Sequence, residues 1–97
     1  MQKMLTFRFA QREDVPLILQ FIRDLASYEK MLDQVVADEA TLELWLFGKR
    51  SAEVLFAVAD GREIGFALFF HNFSTFLGRA GLYLEDLYVL PEYRGQG

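Results

Sequence analysis

The 97-residue chain has no cysteine and one histidine, His71. Disulfides, thiolate nucleophiles, zinc–cysteine sites and cysteine-held clusters are excluded together. A lone histidine cannot build a multi-histidine metal centre, so no metal is expected. Positive charge is also scarce: 10 Lys and Arg face 14 Asp and Glu, a net −4. Binding to nucleic acid or to an anionic membrane depends on clustered Lys and Arg, so neither is an expected partner. An acidic surface suits a cationic substrate and is equally ordinary on a small soluble protein. Long apolar runs are missing too. The run from Phe66 to Phe70 falls far short of the roughly 20 residues that span a bilayer. Met1 to Ala10 carries Lys3 and Arg8 and no apolar stretch of signal-peptide length. A soluble, cytoplasmic protein is the expectation. Linkers rich in Pro or Ser, low-complexity tracts and internal repeats are absent as well, and residues 1–97 are expected to form a single domain.

What the chain does have is apolar content: 53% hydrophobic and 15% aromatic residues, which excludes disorder as the main state. A chain this short buries only about 60–65% of its unfolded surface, so its stability is modest. Residues 5–9 are β-prone and alternate loosely. From Glu13 the period changes. Val15, Ile18, Leu19, Ile22, Leu25 and Ala26 fall on one face of an α-helix, with Pro16 in its first turn and Glu13 and Asp14 at its positive end. A second row, Leu17, Phe21, Tyr28 and Leu32, predicts a helix wedged between a sheet and something else.

Asp38-Glu39-Ala40-Thr41 opens a shorter helix reaching about Phe47, with Gly48 placed to end it in a left-handed cap. Residues 54–59 form an apolar strand, Asp60-Gly61 is a strong hairpin signal, and residues 64–70 return as a partner buried on both faces or nearly so. Residues 71–78 read as a loop, and residues 82–90 as the last strand, broken by Pro91-Glu92. The order β-α-α-β-β-β predicts an α+β fold with an antiparallel meander and early helices.

Two features carry possible chemistry. Glu85 and Asp86 are adjacent inside the last strand, and strand neighbours face opposite sides. One carboxylate therefore faces inward, or the strand bulges. An unpaired charge on a half-buried strand costs several kcal/mol. A carboxylate of raised pKa at such a place can accept a proton from an amine, and an edge acid facing water is the plain alternative. The second feature is Arg94-Gly95-Gln96-Gly97, after the strand break. Glycines there let backbone N–H groups turn toward a phosphate, although an ordinary turn has the same composition.

The segment Tyr83-Leu84-Glu85-Asp86-Leu87-Tyr88-Val89-Leu90-Pro91-Glu92-Tyr93-Arg94-Gly95-Gln96-Gly97 resembles the strand and the start of the acetyl-CoA loop of the GNAT superfamily of N-acetyltransferases. Within it the chain is most similar to the diamine (spermidine/spermine) and thialysine acetyltransferase branch. Phe7-Arg8-Phe9-Ala10, Asp14, Leu25-Ala26-Ser27-Tyr28-Glu29-Lys30, Leu46-Phe47-Gly48, Ile64-Gly65-Phe66-Ala67-Leu68-Phe69-Phe70 and Asn72-Phe73-Ser74-Thr75-Phe76-Leu77-Gly78 match that branch in order.

The resemblance implies direct acetyl transfer from acetyl-CoA to a primary amine of a small cationic substrate, such as a diamine, a polyamine or thialysine. It implies Glu85 as the catalytic carboxylate near the amine, with Tyr28 and Glu29 lining the amine site. Leu87, Tyr88 and Val89 would offer backbone groups to acetyl-CoA, and Arg94, Gly95, Gln96 and Gly97 would begin the pyrophosphate cradle. It also implies a homodimer or other self-association. The family fold is longer than this chain, which stops inside the loop motif. The chain is therefore expected to be the N-terminal half of a GNAT fold, inactive alone, with the general acid in the absent half. The alternative is a non-catalytic fragment or interaction module that keeps the half-fold and self-associates.

Overall fold

The computed structural model describes residues 5–94. Its elements follow the expected β-α-α-β-β-β order, and the fold is α+β. Strand β1 (Leu5–Phe9) leads through a short 3-10 turn, Arg12–Asp14, into helix α1 (Val15–Tyr28). Pro16 lies in the first turn of α1, where its missing N–H has no helical acceptor to lose. Helix α2 (Glu39–Leu42) is capped by Asp38. The Thr41 amide donates to Asp38 Oδ1 at 2.8 Å, and the Asp38 amide donates to Thr41 Oγ1 at 3.1 Å. It continues as a π-helical turn, Glu43–Gly48.

Strands β2 (Glu53–Ala59), β3 (Arg62–Ser74) and β4 (Arg79–Val89) complete an antiparallel sheet of order β1-β2-β3-β4. Asp60 and Gly61 both take positive φ, +52° and +81°, as the tight turn between β2 and β3 requires.

Cross-strand register sorts the side chains into rows. Arg8, Phe56, Phe66 and Tyr88 lie side by side on the face that α1 covers. Phe21 of α1 sits on that row, its ring centre 5.5 Å from Phe66, 6.0 Å from Phe56 and 6.2 Å from Tyr88. Ile18, Leu46 and Val54 close the core around these rings. At the edge of the row Arg8 donates to both carboxylate oxygens of Asp14, at 2.8 and 3.0 Å, and to Glu63 at 2.7 Å. Its guanidinium carbon also lies 4.8 Å from the centre of the Phe56 ring. One cation thus ties β1 to the start of α1 and to the β2–β3 hairpin. Those hydrogen bonds hold the Asp14 and Glu63 carboxyls below the usual carboxylate range.

Gly65 is where β3 and β4 come closest. A Cβ there would meet the Tyr88 carbonyl oxygen at 2.6 Å and Val89 Cα at 3.2 Å. Neither is a flexible chain end, so only glycine lets β4 lie this close at Tyr88 and Val89.

Several local expectations are corrected. Gly48 is not the left-handed cap, because the π-helical turn carries the chain two residues further and Arg50 takes φ +53° instead. Residues 71–74 are strand rather than loop, since their partners 79–82 continue the β3–β4 ladder, and the turn is confined to 75–78. Of residues 64–70, expected to be buried on both faces, Ile64, Gly65 and Phe66 are fully buried and the rest half-buried, because no helix among the described residues covers the opposite face of the sheet. The second apolar row is likewise partly used: Phe21 is in the core and Leu17 half-buried, whereas Tyr28 is exposed, as is Leu32, which lies past the end of α1.

Candidate functional site

The β4 strand bulges at its acidic pair. Leu68 pairs with Asp86 and Phe69 pairs with Leu84, so Glu85 is an extra residue without a partner of its own on β3. A bulge breaks the strict alternation of a strand and re-aims the side chains on either side of it. Here the sequence left two outcomes open, and the strand takes the second. Asp86 stays in the row of Val54 and Leu68, on the face covered by α1, and is half-buried. Glu85, the extra residue of the bulge, is exposed.

The end of α1 lies near enough to this stretch of β4 for the Glu29 charge to act on Asp86. Tyr28 is the last residue of α1 and Glu29 follows as the C-cap. Burial, the neighbouring Glu85 charge and the Glu29 charge, in that order, raise the Asp86 carboxyl above its ordinary range. No ion pair to Glu29, Glu85 or Asp86 is formed among the described residues. Asp86 therefore feels the charges of Glu85 and Glu29 without an ion pair of its own among the described residues. An ammonium group is what such a place takes most readily. Sequence reasoning had singled out Asp86 only as the neighbour of Glu85. Its position facing α1 follows from the bulge, which adjacency alone does not reveal.

Beyond the bulge, Leu87 is exposed, Tyr88 is in the core and Val89 is half-buried. Strand β4 is an edge strand, so alternate backbone groups along its outer side have no strand partner among the described residues. The short 3-10 turn Pro91–Tyr93 then brings Arg94 back over the end of α1. Its Nε donates to the Val89 carbonyl at 2.7 Å, and its guanidinium carbon lies 4.5 Å from the Tyr28 ring centre and 5.1 Å from that of Tyr88. Cation–π contact of this kind holds Tyr28 beside β4 although the ring is 66% exposed. Gly95, Gln96 and Gly97, expected in the phosphate cradle, lie outside the described residues. Among the described residues no group of three or more His, Cys, Asp or Glu side chains is arranged to hold a metal ion, and no helix is long and apolar enough to cross a membrane.

Residues 18–97 match the family model described as the acetyltransferase (GNAT) family. The chain belongs to this family. Among curated GNAT relatives, it is 42% identical over 99 residues to the thialysine N-epsilon-acetyltransferase of Bos taurus, covering 93% of this chain and 58% of that protein. It is 34% identical to the human spermidine/spermine N(1)-acetyltransferase-like protein 1, covering 93% of this chain and 14% of that one. The chain thus spans a little over half the length of the thialysine acetyltransferase it matches. The same fold occurs in an aminoglycoside acetyltransferase from a soil metagenome, at a TM-score of 0.77 and 20% identity over 96% of this chain and 60% of that one. It also occurs in a ribosomal-protein-alanine N-acetyltransferase from Brucella melitensis, at 0.71 and 24% over 97% and 62%.

The raised Asp86 carboxyl has a consequence for stability. The folded chain binds this proton more tightly than the unfolded chain does. The group therefore favours folding least at high pH, its contribution being lost as pH rises from about 4 through the raised value. Asp86→Asn removes that loss. In urea unfolding the variant is expected to exceed the wild type in stability at pH 7, with the gap closing toward pH 4. A gap that is absent at pH 7, or that widens in acid, would show that Asp86 is not disfavoured by burial and by its acidic neighbours.

Proposed function

We propose that the protein is an acetyl-CoA-dependent amine N-acetyltransferase whose substrate is a small cation with a primary amine, such as a diamine, a polyamine or a thialysine-like amino acid. The observation that supports this reading is the half-buried Asp86 carboxyl, raised by burial and by the Glu85 and Glu29 charges, with no ion pair to any of the three among the described residues. Membership of the GNAT family and the printed names of the relatives agree with it.

In this reading the incoming ammonium is drawn by Glu29 and Asp86, and it relieves the like-charge repulsion that the empty cluster carries. Tyr28 lines the approach. Glu85, exposed at the bulge, receives the amine proton directly or through one water, which leaves the nitrogen lone pair free to attack. When bound, acetyl-CoA supplies the acetyl group. Its arm fits the open edge of β4, where the backbone of Leu87, Tyr88 and Val89 would hold it much as a strand would. Arg94 has its side chain committed to Val89, Tyr28 and Tyr88, so its share of the phosphate contacts falls to its backbone, with Gly95, Gln96 and Gly97. In the whole protein, Glu85→Gln is expected to lower kcat/KM for the amine by about 10–10³-fold, because a positioned proton acceptor contributes on the order of 10²–10⁴ and water partly substitutes. Full activity of this variant from pH 6 to 9 would remove Glu85 from the proton-transfer role.

A second reading, a non-catalytic module that self-associates, is favoured by the sheet face turned away from α1. Register places Phe7, Phe9 and Leu87 there along with Leu84, and each is at least 52% exposed. An apolar face beside an open strand edge is a surface that pairs with other chains. On this basis the 97-residue chain should self-associate and show neither acetyl transfer nor more than weak acetyl-CoA binding. Light scattering run alongside calorimetric titration with acetyl-CoA checks both. A clean monomer binding acetyl-CoA at micromolar concentration would contradict the expectation.

A further inference from the structure

Arg94 stands just before Gly95, Gln96 and Gly97, where an arginine is ordinarily an anion ligand, its planar fork matched to phosphate. Its side chain is engaged differently. Leu90 N–H donates to the Ile64 carbonyl at 2.7 Å, so the backbone groups of Leu90 face β3 and those of Val89, one residue earlier, face the open edge of β4. There the Arg94 Nε donates to the Val89 carbonyl at 2.7 Å. This anchors the guanidinium between the strand edge and the end of α1, 4.5 Å from the Tyr28 ring centre and 5.1 Å from that of Tyr88. It forms no ion pair with Glu29, Glu85 or Asp86 among the described residues.

The two rings are held to different degrees. Tyr88 is buried and packs on Phe21, so its place is fixed by the core. Tyr28 is exposed at the last position of α1. An exposed side chain changes rotamer within nanoseconds unless something pins it. Among the described residues, Arg94 makes the one charge or ring contact that the Tyr28 side chain has. Glu29, whose charge acts on Asp86, follows Tyr28 directly. The position of the ring beside these acids is therefore set by Arg94.

We propose that Arg94 is a positioning residue for the amine substrate: anchored on the Val89 carbonyl and the Tyr88 ring, its guanidinium pins Tyr28 as a wall beside the acidic residues. The side chain thus serves the amine and not the phosphates of acetyl-CoA. This assignment rests on the amine acetyltransferase reading above. A wall fixed before the ligand arrives adds to affinity because its ordering is not charged against binding. Lysine is no substitute, since only the planar guanidinium donates through Nε while offering its faces to rings.

The test measures the binding of 1,4-diaminobutane and of acetyl-CoA separately, by calorimetry on the whole protein. Arg94→Gln is expected to weaken the diamine about 10-fold and acetyl-CoA less than about 2-fold. Arg94→Lys should resemble Arg94→Gln toward the diamine. Tyr28→Leu should cost the diamine a similar factor, and in the double variant the two losses should overlap instead of multiplying, because one residue acts through the other. In NMR spectra of the 97-residue chain, ring currents should hold the Arg94 side-chain protons upfield, and Tyr28→Leu should move them back. A loss of about 10-fold in acetyl-CoA binding by Arg94→Gln, recovery of diamine binding in Arg94→Lys, or losses that multiply in the double variant would each overturn the assignment. Acetyl transfer is scored apart from these affinities: a wild type that binds the diamine and transfers nothing to it contradicts the proposed activity, whereas Arg94 is judged on the variants alone.

Discussion

The placement of Phe21 is the constraint on which the rest of the molecule depends. Its ring lies nearly parallel to that of Phe66, with 13° between the planes, and leans on Phe56 and Tyr88 to either side. Burying a phenylalanine contributes about 1.5–3 kcal/mol, and each well-placed aromatic pair adds about 0.5–1.5. Because Phe21 sits midway along α1, fixing it on this row fixes where the helix ends. Tyr28 and Glu29 are carried to the β4 residues 86–88, and Arg94 then bridges the junction through weaker, exposed contacts. The same aromatic row holds Tyr88, whose close backbone approach to Gly65 locks β4 in register just past its bulge.

Electrostatics separates the two acid-rich places in the fold. At the start of α1, Asp14 and Glu63 share the Arg8 guanidinium, and both carboxyls are held below the usual range. At the end of α1, Asp86 forms no ion pair among the described residues, and burial together with the Glu85 and Glu29 charges pushes its carboxyl up. The first arrangement stabilises the fold at neutral pH and the second opposes it. This contrast between paired acids at one end of the helix and unpaired ones at the other is what the proposed amine site rests on.

Much of this was legible from local pattern. The helical period of Val15, Ile18, Leu19 and Ile22, the Asp38–Thr41 cap and the Asp60-Gly61 turn each depend on residues close in sequence, and each forms where expected. The misses share a different origin. The π-helical turn, which moves the left-handed residue from Gly48 to Arg50, puts Leu46 in the core, a tertiary contact that local propensity does not announce. The length of the β3–β4 hairpin depends on cross-strand partners, which a single strand does not announce. Tyr28 is covered by a cation from a distant part of the chain instead of by the core. Most consequentially, the bulge at Glu85 decides which carboxylate is half-buried. An adjacent pair of acids signals that something unusual happens there, but only pairing with Leu68 and Phe69 shows that Asp86 faces α1.

The central claim is that three unpaired carboxylates at the end of α1 form a site for a small cationic amine. It is tested most directly by following the side-chain carboxyl carbons of Glu29, Glu85 and Asp86 by NMR while 1,4-diaminobutane is added to the 97-residue chain at neutral pH. The account predicts saturable shifts at all three groups, a fall in the Asp86 pKa as the diamine binds, and loss of these effects at high salt, where exposed charge pairs are screened. Shifts spread evenly over all the acidic residues, or an Asp86 pKa that stays raised at saturating diamine, would contradict it.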